Sequence, residues 1–207
     1  FYLFNKLLPV IKANKTRIVS LASSGHYLFH TAADMRDWLI IDDNGYKGPT
    51  EDIVEYNLAG FRYYGIAKLA NILFAREINK RYNKDGIYAL AVHPGSVMQT
   101  QLSDSIKPDC GWTQRALGLR ALNEALKPKT LSQGAATSLR CATITVEEIV
   151  KGDNNNEQLL WFDDCLPRND KIHGEFINNT NTEIDELLWN YSCKAVEALD
   201  YLTLNEE

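Results

Sequence analysis

YYGIAKLANILFAREINKRY, residues 63–82, is the stretch whose reading decides the fold. From Leu58 to Tyr82 apolar residues recur at helical spacing, at Phe61, Ile66, Leu69, Ile72, Leu73 and Ile78, and predict a long helix. Upstream, TRIVSLASSGH (16–26) sets Ile18, Val19 and Leu21 just before small polar residues, which reads as a buried strand ending in a Ser-rich turn. Downstream, DGIYALAVHPGSV (85–97) carries a second apolar run, cut off by Pro94-Gly95. Strand, long insertion, helix, strand is the pattern of an α/β fold with a parallel sheet. Such sheets bind ligands at the carboxyl ends of their strands, where Ser23 and Pro94-Gly95 fall.

Within the helix, Tyr64 and Lys68 stand four residues apart and project from one face. A tyrosine hydroxyl is a reluctant proton donor or acceptor near neutral pH, and a cation one turn away favours its ionised form. The pair suggests proton transfer to or from an oxygen, as in alcohol/carbonyl interconversion. Taken alone it also fits an amphipathic helix with a solvated lysine. Tyr56 and Tyr63 have no Lys four residues on.

RIVSLASSGH, YGIAKLANILFARE (64–77) and YALAVHPGSV (88–97) together resemble the short-chain dehydrogenase/reductase family, nearest its retinol-dehydrogenase-like and fungal members. LSQGAATSLRCAT (131–143) and EQLLWFDD (157–164) extend the likeness to about Leu166, as a helix and a last core strand. The resemblance implies the C-terminal part of a Rossmann-like doubly wound parallel sheet, with three core strands at about 17–22, 87–92 and 158–162 and flanking helices. It implies Tyr64 as general acid/base and Lys68 as the residue that tunes it and hydrogen-bonds the nicotinamide ribose. A Ser at the end of the preceding strand holds the substrate oxygen. Aligning by RIV puts that role on Ser23, and a slip of one residue would put it on Ser24. Pro94, Gly95 and Val97 match the turn along the nicotinamide. Thr100 is the candidate for the carboxamide contact, although HPGSVMQTQL carries one residue more than the usual spacing. His93, just before the turn, reads as a strand-end packing residue. The implied cofactor is NADP or NAD, with NADP favoured by the subgroup.

The chain opens on Phe1, and FYLFNKLLPVIKANK (1–15) reads as an amphipathic helix with Leu3, Leu7, Leu8 and Ile11 on one face. Nowhere in its 207 residues is a strand followed by G-x-x-x-G-x-G, the loop that cradles a dinucleotide's phosphates. The resemblance therefore covers a single, incomplete NAD(P)-binding domain over 1–207, lacking the glycine-rich N-terminal half. On that reading the strand at 17–22 is an uncovered edge.

An apolar content of 45% supports a core, and a net charge of −5 with no basic run argues against nucleic acid as a partner. Cys110, Cys141, Cys165 and Cys193 form no CxxC pair, and the histidines are not spaced for a metal. These features suit free intracellular thiols and a cytoplasmic protein. No apolar run approaches the roughly 20 residues that span a bilayer; a membrane anchor upstream of Phe1 stays open. From Asn181 to Leu204, Ile184, Leu187, Leu188, Tyr191, Val196 and Leu199 predict a terminal helix packed on the domain.

The segment between Ser23 and Tyr64, with Tyr27, Phe29, Trp38 and Ile40, and that after Pro94-Gly95, with Trp112, Leu117 and Leu122, are apolar and aromatic. Both suit the walls of a pocket for a small lipophilic alcohol or carbonyl substrate, or ordinary packing. In many relatives two helices pair across a dimer two-fold. Phe1, Phe4, Phe61 and Phe74 would serve a homodimer contact or the core equally well. The leading expectation is an NAD(P)-dependent alcohol/carbonyl oxidoreductase. The alternatives are an inactive fragment acting through a full-length relative, and an epimerase or dehydratase using the same Tyr/Lys pair.

Overall fold

A computed structural model describes residues 1–28, 41–42, 45–46, 57–97, 128–152, 158–169 and 183–204. The elements in chain order are α1 (Tyr2–Asn14), β1 (Ile18–Leu21), a 3-10 turn (Ser24–Leu28), β2 (Ile41–Asp42), β3 (Gly45–Tyr46), α2 (Asn57–Tyr82), β4 (Ala89–His93), α3 (Leu131–Thr143), α4 (Val146–Lys151), β5 (Trp161–Asp163), β6 (Leu166–Pro167) and α5 (Glu183–Leu204). β2 and β3 form a separate antiparallel pair.

The main sheet has the order β1-β4-β5-β6. β1, β4 and β5 run parallel, Leu21 opposite Val92 and His93 opposite Asp163, while β6 folds back antiparallel on β5. β4 is buried on both faces, as a central parallel strand must be. Its Ala89 and Ala91 join the cluster built by α2, with Phe4 and Ile11 of α1 and Ile184 and Trp189 of α5. Its Leu90 and Val92 meet Cys141, Ile144 and Ile149 of the α3–α4 side and Phe162. Helices thus cover both faces, consistent with a partial Rossmann-like fold. The small Ala89 and Ala91 let α2 lie close to the sheet. On α2, Leu69, Ile72, Leu73 and Ile78 are fully buried, each worth about 1.5–3 kcal/mol of apolar burial.

The strands start later than the apolar runs do, because side chains take over the backbone. Asn79 of α2 donates to Ala89 O at 2.8 Å and accepts from Ala89 N at 2.7 Å, on the side where β5 has not yet begun. Asn169 Oδ1 accepts from Leu160 N and Trp161 N, both at 3.0 Å, so β5 begins only at Trp161 rather than near 158. β6 was not foreseen from the sequence.

The outward face of α1 corrects the sequence reading. Phe4 and Ile11 face the core with Phe1 and Leu8 packed against it, whereas Leu3 and Leu7 are exposed beside Val10. The helix carries two apolar stripes, and the aromatic residues decide which one is buried. Phe1 meets Trp189 at 4.9 Å between ring centroids and Phe4 meets Phe74 at 5.4 Å. These rings are taken up inside the chain; Phe61's side chain lies outside the described residues. α5 is locked to α2 by a two-pronged ion pair, Arg76 to both oxygens of the buried Asp185 at 2.6 Å. Among the described residues no helix is long and apolar enough to cross a membrane.

Candidate active site

β1, β4 and β5 are parallel, so their carboxyl ends share one edge of the sheet, and Ser23, Pro94-Gly95 and Asp163–Asp164 gather there. The chain leaves β1 at Leu21 and tightens at once into the 3-10 turn. Ser23 is buried, and its Oγ accepts from Gly25 N–H at 3.1 Å, a local turn bond that leaves the hydroxyl proton available to donate.

α2 crosses beside this turn and presents Tyr64 to it. A methyl group built on Gly25 would stand 2.9 Å from Tyr64 Cε1 and 3.5 Å from Ser23 Oγ. The tyrosine ring edge and the serine hydroxyl thus border the same point, and a side chain at Gly25 would have to push the ring aside. One turn along α2, Lys68 Nζ lies 5.5 Å from the Tyr64 ring centroid and donates to Leu21 O at 3.3 Å. Asn71 Nδ2 donates to the same carbonyl at 2.9 Å, and Ser20 Oγ donates to Asn71 O at 3.1 Å. The last carbonyl of β1 is therefore a shared anchor that holds α2 in register with the Ser turn.

Ser24 turns the other way. Its Oγ is 3.2 Å from His93 Nε2, at the end of β4. Of the two candidate serines, Ser23 borders Tyr64 and Ser24 is engaged by His93. Burial pushes the His93 imidazole below its ordinary value, reinforced by Lys129 and His26 and opposed by Asp163 and Asp164.

Past His93, the backbone turns at Gly95 with φ +79°, a left-handed conformation that favours glycine. The turn is backed by α3. Gly134 leaves room for Val97, whose Cγ2 would stand 2.5 Å from a methyl there. Lys129 N donates to Ser96 O at 2.7 Å, its side chain lies across Gly95, and its ammonium pairs with Asp164. A capping box of Thr130 and Gln133 starts α3 directly after Lys129. Thr100 and the pocket candidates Phe29, Trp38, Ile40, Trp112, Leu117 and Leu122 lie outside the described residues, as does the side chain of Tyr27. Among the described residues no group of three or more His, Cys, Asp or Glu is placed to hold a metal ion.

The structure thus brings Ser23, Tyr64 and Lys68 to one end of β1, with Pro94, Gly95 and Val97 just past the end of the neighbouring strand β4. Sequence reasoning missed Gly25, Asn71, Lys129 and Gly134. Asn71 had a usable signal, since it lies three residues after Lys68 and seven after Tyr64, on their face of the helix. The other three act through tertiary contacts.

The sequence is 33% identical over 199 residues to retinol dehydrogenase 12 of Bos taurus, covering 94% of this chain and 50% of the relative. The chain is a homologue of short-chain dehydrogenase/reductase family members. Retinol dehydrogenase 12 of Mus musculus is 35% identical over 133 residues, 63% of this chain and 35% of its own length. The human WW domain-containing oxidoreductase is 29% identical over 168 residues, 80% of this chain and 34% of its own. The chain spans half or less of the length of these curated relatives. No family model matches it.

Proposed function

We propose that the protein is an NAD(P)-dependent oxidoreductase that interconverts an alcohol and an aldehyde or ketone, with Tyr64 as the general acid/base. The observation that carries this reading is the convergence of the Tyr64 ring, the Lys68 ammonium and the Ser23 hydroxyl at the carboxyl end of β1. Homology to proteins named as retinol dehydrogenases and oxidoreductases supports it. Those names also support a small lipophilic alcohol or carbonyl compound as substrate.

The donor set fits the nicotinamide-ribose end of the cofactor. Lys68 spends one N–H on Leu21 O and keeps two donors for a ribose diol. The turn at Pro94, Gly95 and Val97 would line the ring. A bound nicotinamide supplies the hydride chemistry. Ser23 donates a hydrogen bond to the substrate oxygen and stabilises the charge that grows there. Tyr64 delivers a proton to that oxygen in reduction and removes it in oxidation. Lys68 favours the phenolate left behind and fixes the ribose. NADP is the proposed partner over NAD, on the subgroup resemblance.

Tyr64→Phe in the protein expressed from its full reading frame tests the reading. Turnover of aldehydes and ketones should fall by about 10²–10⁴-fold, with reduced cofactor still bound. Undiminished turnover would remove Tyr64 from the mechanism. Equal rates with the two cofactors would remove the NADP preference.

A further inference from the structure

The β1–β4 ladder ends where Ala22 N donates to Val92 O at 2.9 Å. Beyond that rung the two strands part. One enters the Ser23 turn and the other runs through His93 into Pro94-Gly95. The two halves of the proposed site therefore sit on diverging chains, and their spacing needs something other than the sheet to hold it. Ser24 follows Ser23 and His93 precedes Pro94, and these two side chains meet at 3.2 Å across 69 residues of sequence.

The contact is itself supported. The His93 ring stacks on Trp161 of β5, centroids 6.3 Å apart and planes 9° apart. His26, in the middle of the same turn, meets the Trp161 ring edge-on at 5.1 Å and contacts Ser23 O through Nδ1 at 2.6 Å. One buried indole thus backs two imidazoles, one holding the carbonyl of Ser23 and the other the hydroxyl of its neighbour. His93 Nδ1 is buried without a hydrogen-bond partner among the described residues. A buried lone pair left bare is tolerated better than a buried N–H, so the proton belongs on Nε2 and Ser24 Oγ accepts it.

We propose that His93 is a positioning residue of the oxidoreductase site: its hydrogen bond to Ser24, backed by the stack on Trp161, sets the distance between the Ser23 hydroxyl and the Pro94-Gly95 turn. This rests on the reading of Tyr64 and Ser23 given above. His93 acts through Ser24 and touches neither substrate nor cofactor. Its effect is on how well the substrate oxygen and the ring-binding turn are aligned, where errors of a fraction of an ångström are costly.

The test uses the protein from its full reading frame, with His93→Phe, His93→Gln, Ser24→Ala and the Ser24→Ala/His93→Phe pair, alongside Tyr64→Phe. Phenylalanine keeps a flat ring for Trp161 and loses the donor, whereas the glutamine amide can restore a donor near Nε2. His93→Phe and Ser24→Ala should each lower kcat by about tenfold. The double variant should be no slower than either single one, and His93→Gln should regain most of the rate. Nitrogen chemical shifts of the wild-type His93 ring should report the Nε2–H tautomer, a readout that needs no turnover. Wild-type kcat in His93→Phe while Tyr64→Phe is inactive would overturn the brace and leave the functional reading standing. Additive losses, or a loss in Ser24→Ala far larger than in His93→Phe, would overturn it too, the latter by making Ser24 the oxygen-binding serine. Full activity in Tyr64→Phe would overturn the functional reading and this inference with it.

Discussion

Gly25→Ala separates the placement of the tyrosine from the stability of the turn that places it. Gly25 lies in the 3-10 turn outside the left-handed region, so its backbone accepts alanine. Alanine there reduces the freedom of the unfolded chain, a stabilising effect of about 0.4–1 kcal/mol. The new methyl would stand 2.9 Å from Tyr64 Cε1 and 3.1 Å from Cδ1. Carbon atoms pack at about 3.5 Å or more, so the ring must retreat by about 0.5 Å. A misplacement of ~1 Å costs on the order of 10²-fold in rate, which makes the expected loss about tenfold. That corresponds to about 1.4 kcal/mol of transition-state stabilisation. The assay is kcat and kcat/KM for aldehyde reduction with thermal unfolding followed on the same samples. The expected result is a tenfold fall in kcat with Tm unchanged or slightly raised. A wild-type kcat would refute the reasoning, since the tyrosine would then not be working where Gly25 lets it sit. A collapse in Tm would refute it equally, by showing that the turn itself needs glycine.

Three further outcomes are expected. Arg76→Met strands the Asp185 carboxylate, which is 1% exposed, and should cost about 3–5 kcal/mol in chemical denaturation; adding Asp185→Leu should recover most of it, and a loss under ~1 kcal/mol for the single variant would mean the pair does not hold α5 to α2. Gly134→Ala should favour α3 by up to about 1 kcal/mol through helix propensity yet push Val97 and its turn outward. Calorimetry should then show weaker cofactor binding, and unchanged affinity would dissociate that turn from the cofactor. Because burial lowers the His93 imidazole, the unfolded chain takes up that proton first as pH falls. His93's share of stability is then whole above about pH 6.5 and drains away as pH drops through its folded value. Tm measured against pH should fall less steeply on the acid side in His93→Phe, and identical slopes would exclude the histidine as the source.

How much of this was legible in the chain varies with the range of the interactions concerned. Helix α2 announced itself because Leu69, Ile72, Leu73 and Ile78 repeat at the period of the structure they form. The first two core strands stood out as apolar runs stopped by Ser-rich and Pro-Gly signals. Where β4 and β5 begin was not legible, since Asn79 and Asn169, 10 and 8 to 9 residues from the strand-start groups they bond, replace rungs of the ladder. The buried face of α1 was misread because two apolar stripes run along it, and the choice between them belongs to Phe74 and Trp189 on other helices.

The candidate site divides in the same way. Spacing alone puts Tyr64 and Lys68 on one face, because a helix repeats every 3.6 residues whatever surrounds it. A strand followed by small polar residues puts a serine at a sheet edge, but leaves Ser23 and Ser24 as alternatives. Only the tertiary structure sends Ser23 toward Tyr64 and Ser24 toward His93, seats Tyr64 against the bare Cα of Gly25, and lays Lys129 across Gly95. Local periodicity is written in neighbouring residues. The approach of side chains dozens of residues apart depends on how closely the helices settle on the sheet, which is decided by the packing of the whole core.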